Sequence, residues 1–120
     1  MLIWFCRSKI KGGKVTEKKL HYEGSITLDK EIIEKADIIP GEMVYVLNLN
    51  NGARITTYVI EGERNSGTIC INGPASRFFE VNDEVIILAT SLMDKKEAEK
   101  TKMKLVVLDN GNKIKEIKEI

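Results

Sequence analysis

The sequence predicts a mainly β fold, a closed or nearly closed β barrel with a few short helices. Seven short runs are rich in Ile, Val, Thr and aromatic residues, which is typical of strands, and turn signals separate them. The chain has 120 residues and a hydrophobic fraction of 42%, so residues 1–120 are expected to form a single domain whose core needs no disulfides. A barrel is favoured because it hides the edges that many short strands otherwise expose.

The predicted strands are residues 2–9, 25–28, 43–48, 53–60, 68–72, 84–89 and 104–108. Asn51-Gly52 lies between the third and fourth of these runs and predicts a β-hairpin, since this dipeptide favours the tight turns that join antiparallel strands. Further turns are predicted at residues 61–67, Gly73-Pro74, Asn82-Asp83 and 109–112.

Three short helical segments are expected. Asp29 is a suitable N-cap for a helix over residues 31–36, which places its apolar residues on one face before Pro40-Gly41 ends the segment. Residues 75–79 predict a single turn, and residues 94–100 predict a charged helix whose polar faces meet water. The charged tail, residues 113–120, is expected to fray.

Charge and composition exclude several function classes. The 19 basic and 18 acidic residues give a net charge of +1, whereas dedicated nucleic-acid binders usually have a basic excess. A single histidine excludes a multi-histidine metal site, and Cys6 and Cys70 form no metal or redox motif, so both are interpreted as small apolar residues. No apolar run approaches about 20 residues, and the first six residues lack the features of a signal peptide; the expected location is cytoplasmic.

The common catalytic motifs are also absent. There is no P-loop and no glycine-rich dinucleotide-binding fingerprint. His21 is the one histidine, and neither Ser25 nor Ser91 lies in a nucleophile elbow. Residue counts alone therefore indicate a small β domain without an assigned role.

Residues 20–27, Leu-His-Tyr-Glu-Gly-Ser-Ile-Thr, change this interpretation. The stretch resembles the pyruvoyl-dependent aspartate decarboxylases (aspartate 1-decarboxylase, or aspartate α-decarboxylase). The likeness continues in register over nearly the whole chain. It includes Lys9 and Val15-Thr16 before this stretch, and residues 50–54, 57–60, 62–64, 67, 69–70, 72–77 and 83–87 after it.

The resemblance implies a double-psi β barrel that is active as a homotetramer, and a chain that cuts itself after Gly24 into residues 1–24 and 25–120. Ser25 then becomes a pyruvoyl group, the one cofactor expected, with no metal and no pyridoxal phosphate. The implied reaction is decarboxylation of L-aspartate to β-alanine and CO2 through a Schiff base, for pantothenate biosynthesis.

A Gly-Ser dipeptide by itself is usually a plain turn, but its possible chemistry is definite. Ser25 Oγ can attack the Gly24 carbonyl in an N→O acyl shift, and elimination followed by hydrolysis then leaves a ketone. Gly24 suits this role because glycine adopts strained conformations that a Cβ forbids and because it leaves its carbonyl open to attack.

The family likeness also assigns roles to other residues. Tyr58 corresponds to the proton donor, and a phenol holds its proton at neutral pH; the alternative is an ordinary half-buried strand tyrosine. Arg54 is expected to bind a substrate carboxylate bidentately and Lys9 to add a second positive charge, although both can equally be solvated strand residues. Thr57 is implied in self-processing and substrate contact.

Alternation places Arg54, Thr56 and Tyr58 on one strand face and Thr57 on the other. A twist, a bulge or a site between two subunits would reconcile this arrangement with the family's site. Substrate contacts are further expected from the turn formed by Asn72, Gly73, Pro74 and Ala75, through backbone N–H groups and the amide side chain.

The sequence departs from the family pattern at three positions. Lys11 and Gly12 stand where known relatives often carry His and Arg, and Leu47 replaces an aromatic residue.

Two rival functions stay open because the fold does not fix the function. One is a non-catalytic double-psi barrel that serves as a binding module. The other is a pyruvoyl decarboxylase for another acidic amino acid such as glutamate, whose one extra methylene is weakly discriminated by a pocket. Whether cleavage needs a helper protein also stays open.

Overall fold

The computed structural model describes all 120 residues and is mainly β, as predicted. Nine strands and three short helices follow one another along the chain. The strands are β1 (Leu2–Lys14), β2 (Glu17–Lys19), β3 (Ser25–Asp29), β4 (Met43–Asn48), β5 (Arg54–Gly62), β6 (Ile69–Asn72), β7 (Glu84–Asp94), β8 (Lys104–Leu108) and β9 (Ile114–Glu119). The helices are α1 (Lys30–Lys35), a 3-10 helix (Gly73–Phe78) and α2 (Lys95–Lys100).

All nine strands belong to one hydrogen-bonded sheet in the order β2-β6-β3-β5-β4-β7-β1-β8-β9. Three neighbouring pairs, β1 with β8, β2 with β6 and β3 with β5, are parallel and the others are antiparallel. Parallel neighbours cannot be joined by tight hairpins, so the chain must cross over between them. The arrangement is consistent with a β barrel, with β2 and β9 at the ends of the hydrogen-bonded order.

The core is one cluster of 19 buried apolar residues to which most strands contribute alternate side chains. Its largest fully buried members include Phe79, Ile10, Ile26, Ile71 and Ile87. The alternate residues of the same strands face the other side of the sheet, and the polar residues described below lie on that side.

The predicted hairpin is confirmed. β4 and β5 pair antiparallel across a loop that contains Asn51-Gly52, and Gly52 has a positive φ of 76°, which glycine adopts without steric cost. The first strand is longer than predicted: it continues to Lys14 through register shifts between Cys6 and Ser8 and between Ile10 and Gly13.

The helix predictions are also confirmed, with small shifts in their bounds. The Asp29 carboxylate is buried and accepts hydrogen bonds from the Glu31, Asn65 and Gly67 amides at 2.8–2.9 Å. It therefore caps α1 and also fixes the loop that follows β5. At α2, the Asp94 carboxylate accepts from the Lys96 amide at 3.0 Å. None of the helices is long and apolar enough to cross a membrane.

The prediction that the tail frays is wrong. Residues Ile114–Glu119 form β9, which pairs antiparallel with β8, and the Met103 and Ile120 backbones exchange two hydrogen bonds. The tail forms a strand because the edge of β8 offers backbone N–H and C=O groups for pairing. The polar sequence of the tail does not indicate this pairing, because it depends on a neighbouring strand. The short polar strand β2, which pairs with β6, was missed for the same reason.

Candidate functional site

Ser25 is the first residue of β3 and is fully buried. It pairs with Asn72 at the end of the antiparallel neighbour β6. The Asn72 Nδ2 group donates to Ser25 Oγ at 2.9 Å and to Thr27 Oγ1 at 3.0 Å. Ser25 Oγ in turn donates to the Glu23 carbonyl at 3.3 Å. The hydroxyl is therefore held beside the peptide that joins Gly24 to Ser25.

Tyr58 comes to the same surface through the pairing of β3 with β5. Ile26 pairs with Val59 and Thr27 with Ile60, so extending the register by one residue sets Tyr58 level with Ser25. Residues at the same level of neighbouring strands face the same side of the sheet. The tertiary structure thus brings the buried Ser25 and Asn72 and the half-buried Tyr58 to one side of the sheet, opposite the core cluster.

Arg54 lies on the exposed face of the same strand, two alternations before Tyr58. Its guanidinium carbon is 5.1 Å from the centre of the Tyr45 ring on β4, a distance at which cations are attracted to the ring face. This contact leaves the guanidinium on the outer surface, where a carboxylate can reach it.

Thr57 faces the opposite side, as the alternation predicted, and is only 7% exposed. The pairing of β5 with β4 runs without interruption from Arg54 to Tyr58, so no bulge turns Thr57 outward. Because Thr57 precedes Val59 by two residues, it lies at the Gly24 end of β3, on the core side. It therefore lies near Gly24, and its side chain does not share a face of the strand with Arg54 and Tyr58.

The expectation that Gly24 adopts a strained backbone conformation is wrong. Gly24 does not have a positive φ, and no heavy atom lies within 4 Å of the position that a Cβ would occupy. Gly73 instead has a φ of 76°, and a Cβ there would lie 2.8 Å from both Gly24 N and Tyr22 O. The close contact between the end of β6 and the segment from Tyr22 to Gly24 therefore requires glycine at position 73 and not at position 24.

The other turn residues are divided between the site and the core. Pro74 is exposed near the start of the 3-10 helix, whereas Ala75 is half-buried and packs against the core. Asn72 and Gly73 are the members of the predicted turn that contact the segment from Tyr22 to Ser25.

The structure does not place Lys9 on a strand next to that of Ser25. Lys9 lies on β1, paired with Leu88 and Leu105, and three strands separate β1 from β3 in the sheet order. Strand pairing within the chain therefore does not bring Lys9 beside Ser25.

Sequence reasoning missed two members of the polar network. Thr27 shares the face of Ser25 by alternation. Cys70, interpreted only as a small apolar residue, donates from Sγ to Asn72 Oδ1 at 3.3 Å. Alternate residues of a strand lie on one face, so Cys70 and Asn72 share a face of β6. This spacing is the sequence feature that could have indicated their contact.

The outer surface of β1, β4, β5 and β7 carries an apolar groove of about 220 Å³ lined by Trp4, Met43, Val44, Tyr45, Thr56 and Thr90. Trp4 is 74% exposed, and its cross-strand partner Leu92 is also exposed. No group of three or more His, Cys, Asp and Glu side chains is arranged to hold a metal ion.

Comparison with known proteins gives one family. Residues 1–115 match the family model described as aspartate decarboxylase. Aspartate 1-decarboxylase of Thermoanaerobacter pseudethanolicus is 54% identical over 107 residues, which cover 89% of this chain and 92% of the relative. The protein of the same name from Pelotomaculum thermopropionicum is 48% identical over 119 residues, which cover 99% and 90% of the two chains.

Proposed function

This chain belongs to the aspartate decarboxylase family. We therefore propose that it removes the α-carboxylate of L-aspartate to give β-alanine and CO2, as a step of pantothenate biosynthesis. The observation that carries the proposal is the buried Ser25 hydroxyl beside the Gly24–Ser25 peptide, hydrogen-bonded to Asn72, in a chain similar to these enzymes over nearly its whole length. The required cofactor is a pyruvoyl group made from Ser25.

Maturation begins when Ser25 Oγ attacks the Gly24 carbonyl carbon. The new C–O bond replaces the C–N bond, and the serine nitrogen takes the hydroxyl proton, which leaves an ester. Loss of the Ser25 α-proton then expels the Gly24 carboxylate and leaves a dehydroalanine at residue 25. One water enters and one ammonia leaves as this enamine becomes a ketone, so the products are residues 1–24 with an ordinary carboxylate and residues 25–120 with a pyruvoyl terminus.

The surroundings of Ser25 fit this conversion. Asn72 Nδ2 donates to Oγ at 2.9 Å and so stabilises the negative charge that develops on this oxygen when it leaves with the Gly24 carboxylate. Thr57, buried at the Gly24 end of β3, supports a role in cleavage rather than a direct contact with substrate on the outer surface.

The pyruvoyl carbonyl supplies the electron sink that amino-acid decarboxylation requires and that ordinary side chains lack. The chain's own residues bind the substrate and move its proton. Arg54 holds a substrate carboxylate through paired N–H donors, and the Tyr58 phenol delivers a proton to the carbon that has lost CO2.

We propose that the active form is a homotetramer in which Lys9 of one copy completes the site of another. The long separation of β1 and β3 in the sheet order supports this arrangement. The exposed Trp4, Met43 and Leu92 side chains also support it, since contiguous apolar surface of this kind is typical of protein interfaces.

Intact-mass measurement of the purified chain tests the proposal. We expect two fragments whose summed mass exceeds the intact mass by one water minus one ammonia, whereas plain hydrolysis adds a whole water. Ser25→Ala is the control and stays uncut. A wild-type chain that remains whole on warming, or that yields an ordinary amino terminus at residue 25, would overturn the proposal.

Borohydride trapping with labelled substrate then tests the reaction itself. Labelled aspartate is expected to become fixed to the fragment 25–120, and labelled glutamate much less so. Absence of any trapped label in a fully cleaved preparation would favour a non-catalytic barrel, and preferential trapping of glutamate would reassign the substrate.

A further inference from the structure

Cys70, Asn72, Ser25 and Thr27 form a continuous hydrogen-bond chain across β6 and β3. The Cys70 thiol donates to Asn72 Oδ1 at 3.3 Å, and Asn72 Nδ2 donates to both hydroxyls at 2.9 and 3.0 Å. Every polar group of the Asn72 side chain is therefore used. Cys70, Asn72 and Ser25 are all buried, so water does not compete readily for these contacts.

The thiol helps to fix which way the Asn72 amide faces. An amide has a carbonyl oxygen that accepts and an NH2 group that donates, and a half-turn exchanges the two. The Ser25 hydroxyl donates to the Glu23 carbonyl and is left to accept from Asn72, whereas the Thr27 hydroxyl can donate or accept and selects neither orientation. A thiol accepts hydrogen bonds only weakly but can donate one when protonated. It therefore pairs better with the Asn72 Oδ1 atom, which accepts, than with the NH2 group, which donates. Cys70 therefore favours the orientation in which the NH2 group faces Ser25.

The orientation matters for the elimination that breaks the chain. After the acyl shift, Oγ is the ester oxygen, and it leaves with the Gly24 carboxylate as its bond to the Ser25 Cβ breaks, so an NH2 group facing Oγ stabilises the negative charge that develops on it. In the reversed orientation, Oδ1 would face the same oxygen and repel this charge. The first arrangement assists departure of the carboxylate and the second opposes it.

We propose that Cys70 is a positioning residue for chain cleavage, because its thiol keeps the Asn72 amide turned so that Nδ2 faces Ser25 Oγ. The inference rests on the proposed function, since it concerns the self-cleavage step that produces the pyruvoyl group. It assigns to Cys70 no contact with substrate.

The state of the thiol agrees with a donor role. Burial, together with the negative charge and hydrogen bonding of Glu17 on the neighbouring strand β2, raises the pKa of Cys70 to about 11, against a smaller opposing effect of Lys19. The group is thus protonated over the whole neutral range. Glu17 is a second possible acceptor for the thiol proton, although the contact made by Sγ is with Asn72, and the test below separates the two.

The test compares cleavage rates of uncut precursor after transfer to a warm buffer, read as the appearance of the two fragments by mass spectrometry. Cys70→Val fills the buried volume but has no donor, and we expect cleavage to slow by about tenfold, which corresponds to about 1.4 kcal/mol in the barrier. Cys70→Ser keeps a donor and is expected to stay within about threefold of the wild type. Glu17→Gln is the matched control and is expected to cleave at the wild-type rate.

A second readout separates positioning from general packing. Thermal unfolding of each precursor in the Ser25→Ala background reports stability, and we expect Cys70→Val and Cys70→Ser to unfold at similar temperatures although they differ in cleavage rate. Equal cleavage by the wild type and Cys70→Val overturns the inference alone, as does slowing in Glu17→Gln that matches Cys70→Val. A wild-type chain that never cleaves overturns both this inference and the proposed function.

Discussion

The backbone of Gly73 lies directly against that of Gly24, with room for a hydrogen and none for a side chain. A Cβ at Gly73 would come within 2.8 Å of Gly24 N and Tyr22 O. The end of β6 therefore acts as a backbone support for the segment that precedes Ser25. The Ser25 hydroxyl and the segment before it are contacted by neighbouring residues, since Asn72 donates to the hydroxyl and Gly73 lies against Gly24.

Replacing Gly73 by Ala is expected to destabilise the precursor and block cleavage. The residue has a φ of 76°, and a left-handed conformation costs a non-glycine residue roughly 1–2 kcal/mol before any clash is counted. Urea unfolding in the Ser25→Ala background measures the change. Gly24→Ala is the matched control: its side chain meets open space, so we expect a change of at most about 0.5 kcal/mol. Similar stability of the two variants would contradict the assignment.

Tyr58→Phe is expected to cleave normally and to decarboxylate at least about 100-fold more slowly, because the ring still packs while the proton donor is lost. The measurement is kcat for β-alanine formation, normalised to the pyruvoyl content. Tyr45→Phe, on the adjacent strand, keeps the ring that contacts Arg54 and serves as the control with near-normal kcat. Full activity of Tyr58→Phe would exclude it as the donor.

Arg54→Gln is expected to raise KM for aspartate by about tenfold or more, since a charge-assisted pair with a carboxylate is lost, while the cleavage rate stays unchanged. Arg64→Gln is the matched control, because Arg64 binds Glu31 and Glu34 on α1, away from the proposed site. An unchanged KM in Arg54→Gln would assign substrate binding to other residues.

The two aspartate N-caps are expected to differ in their contribution to stability. Asp29→Ala removes a buried carboxylate that accepts from three backbone amides and should cost about 3 kcal/mol, since it loses a cap and leaves other buried donors without partners. Asp94→Ala removes one exposed cap contact and should cost about 1 kcal/mol or less. Urea unfolding compares them, and equal losses would show that the loop contacts of Asp29 add nothing.

Alkaline pH is expected to weaken the wild-type fold through Cys70. Burial raises the pKa of its thiol from 9.0 to about 11 in the folded chain, so the folded state binds the proton more tightly than the unfolded state does. The stabilisation is present below about pH 9 and is lost as pH rises towards 11, by up to roughly 2 kcal/mol. The difference in unfolding free energy between the wild type and Cys70→Ser isolates this effect from lysine and tyrosine titration. A difference independent of pH would contradict it.

The local pattern of residues was sufficient to predict most of the secondary structure. Runs of β-branched residues, the Asn51-Gly52 turn and the Asp29 cap are short-range features, and the structure contains the corresponding strands, hairpin and helix. Alternation along β5 also correctly separated Thr57 from Arg54 and Tyr58. These predictions succeeded because each depends on residues within a few positions of one another.

The amino-acid sequence by itself determined the mainly β class, the family likeness and the candidate residues around Ser25. Only the tertiary structure decided that the charged tail becomes β9, that Gly73 rather than Gly24 is sterically required, that Cys70 contacts Asn72, and that three strands separate the strand of Lys9 from that of Ser25. Each of these outcomes depends on which strands pair and in what register. Strand pairing joins residues far apart along the chain, so no local pattern encodes the distances across it.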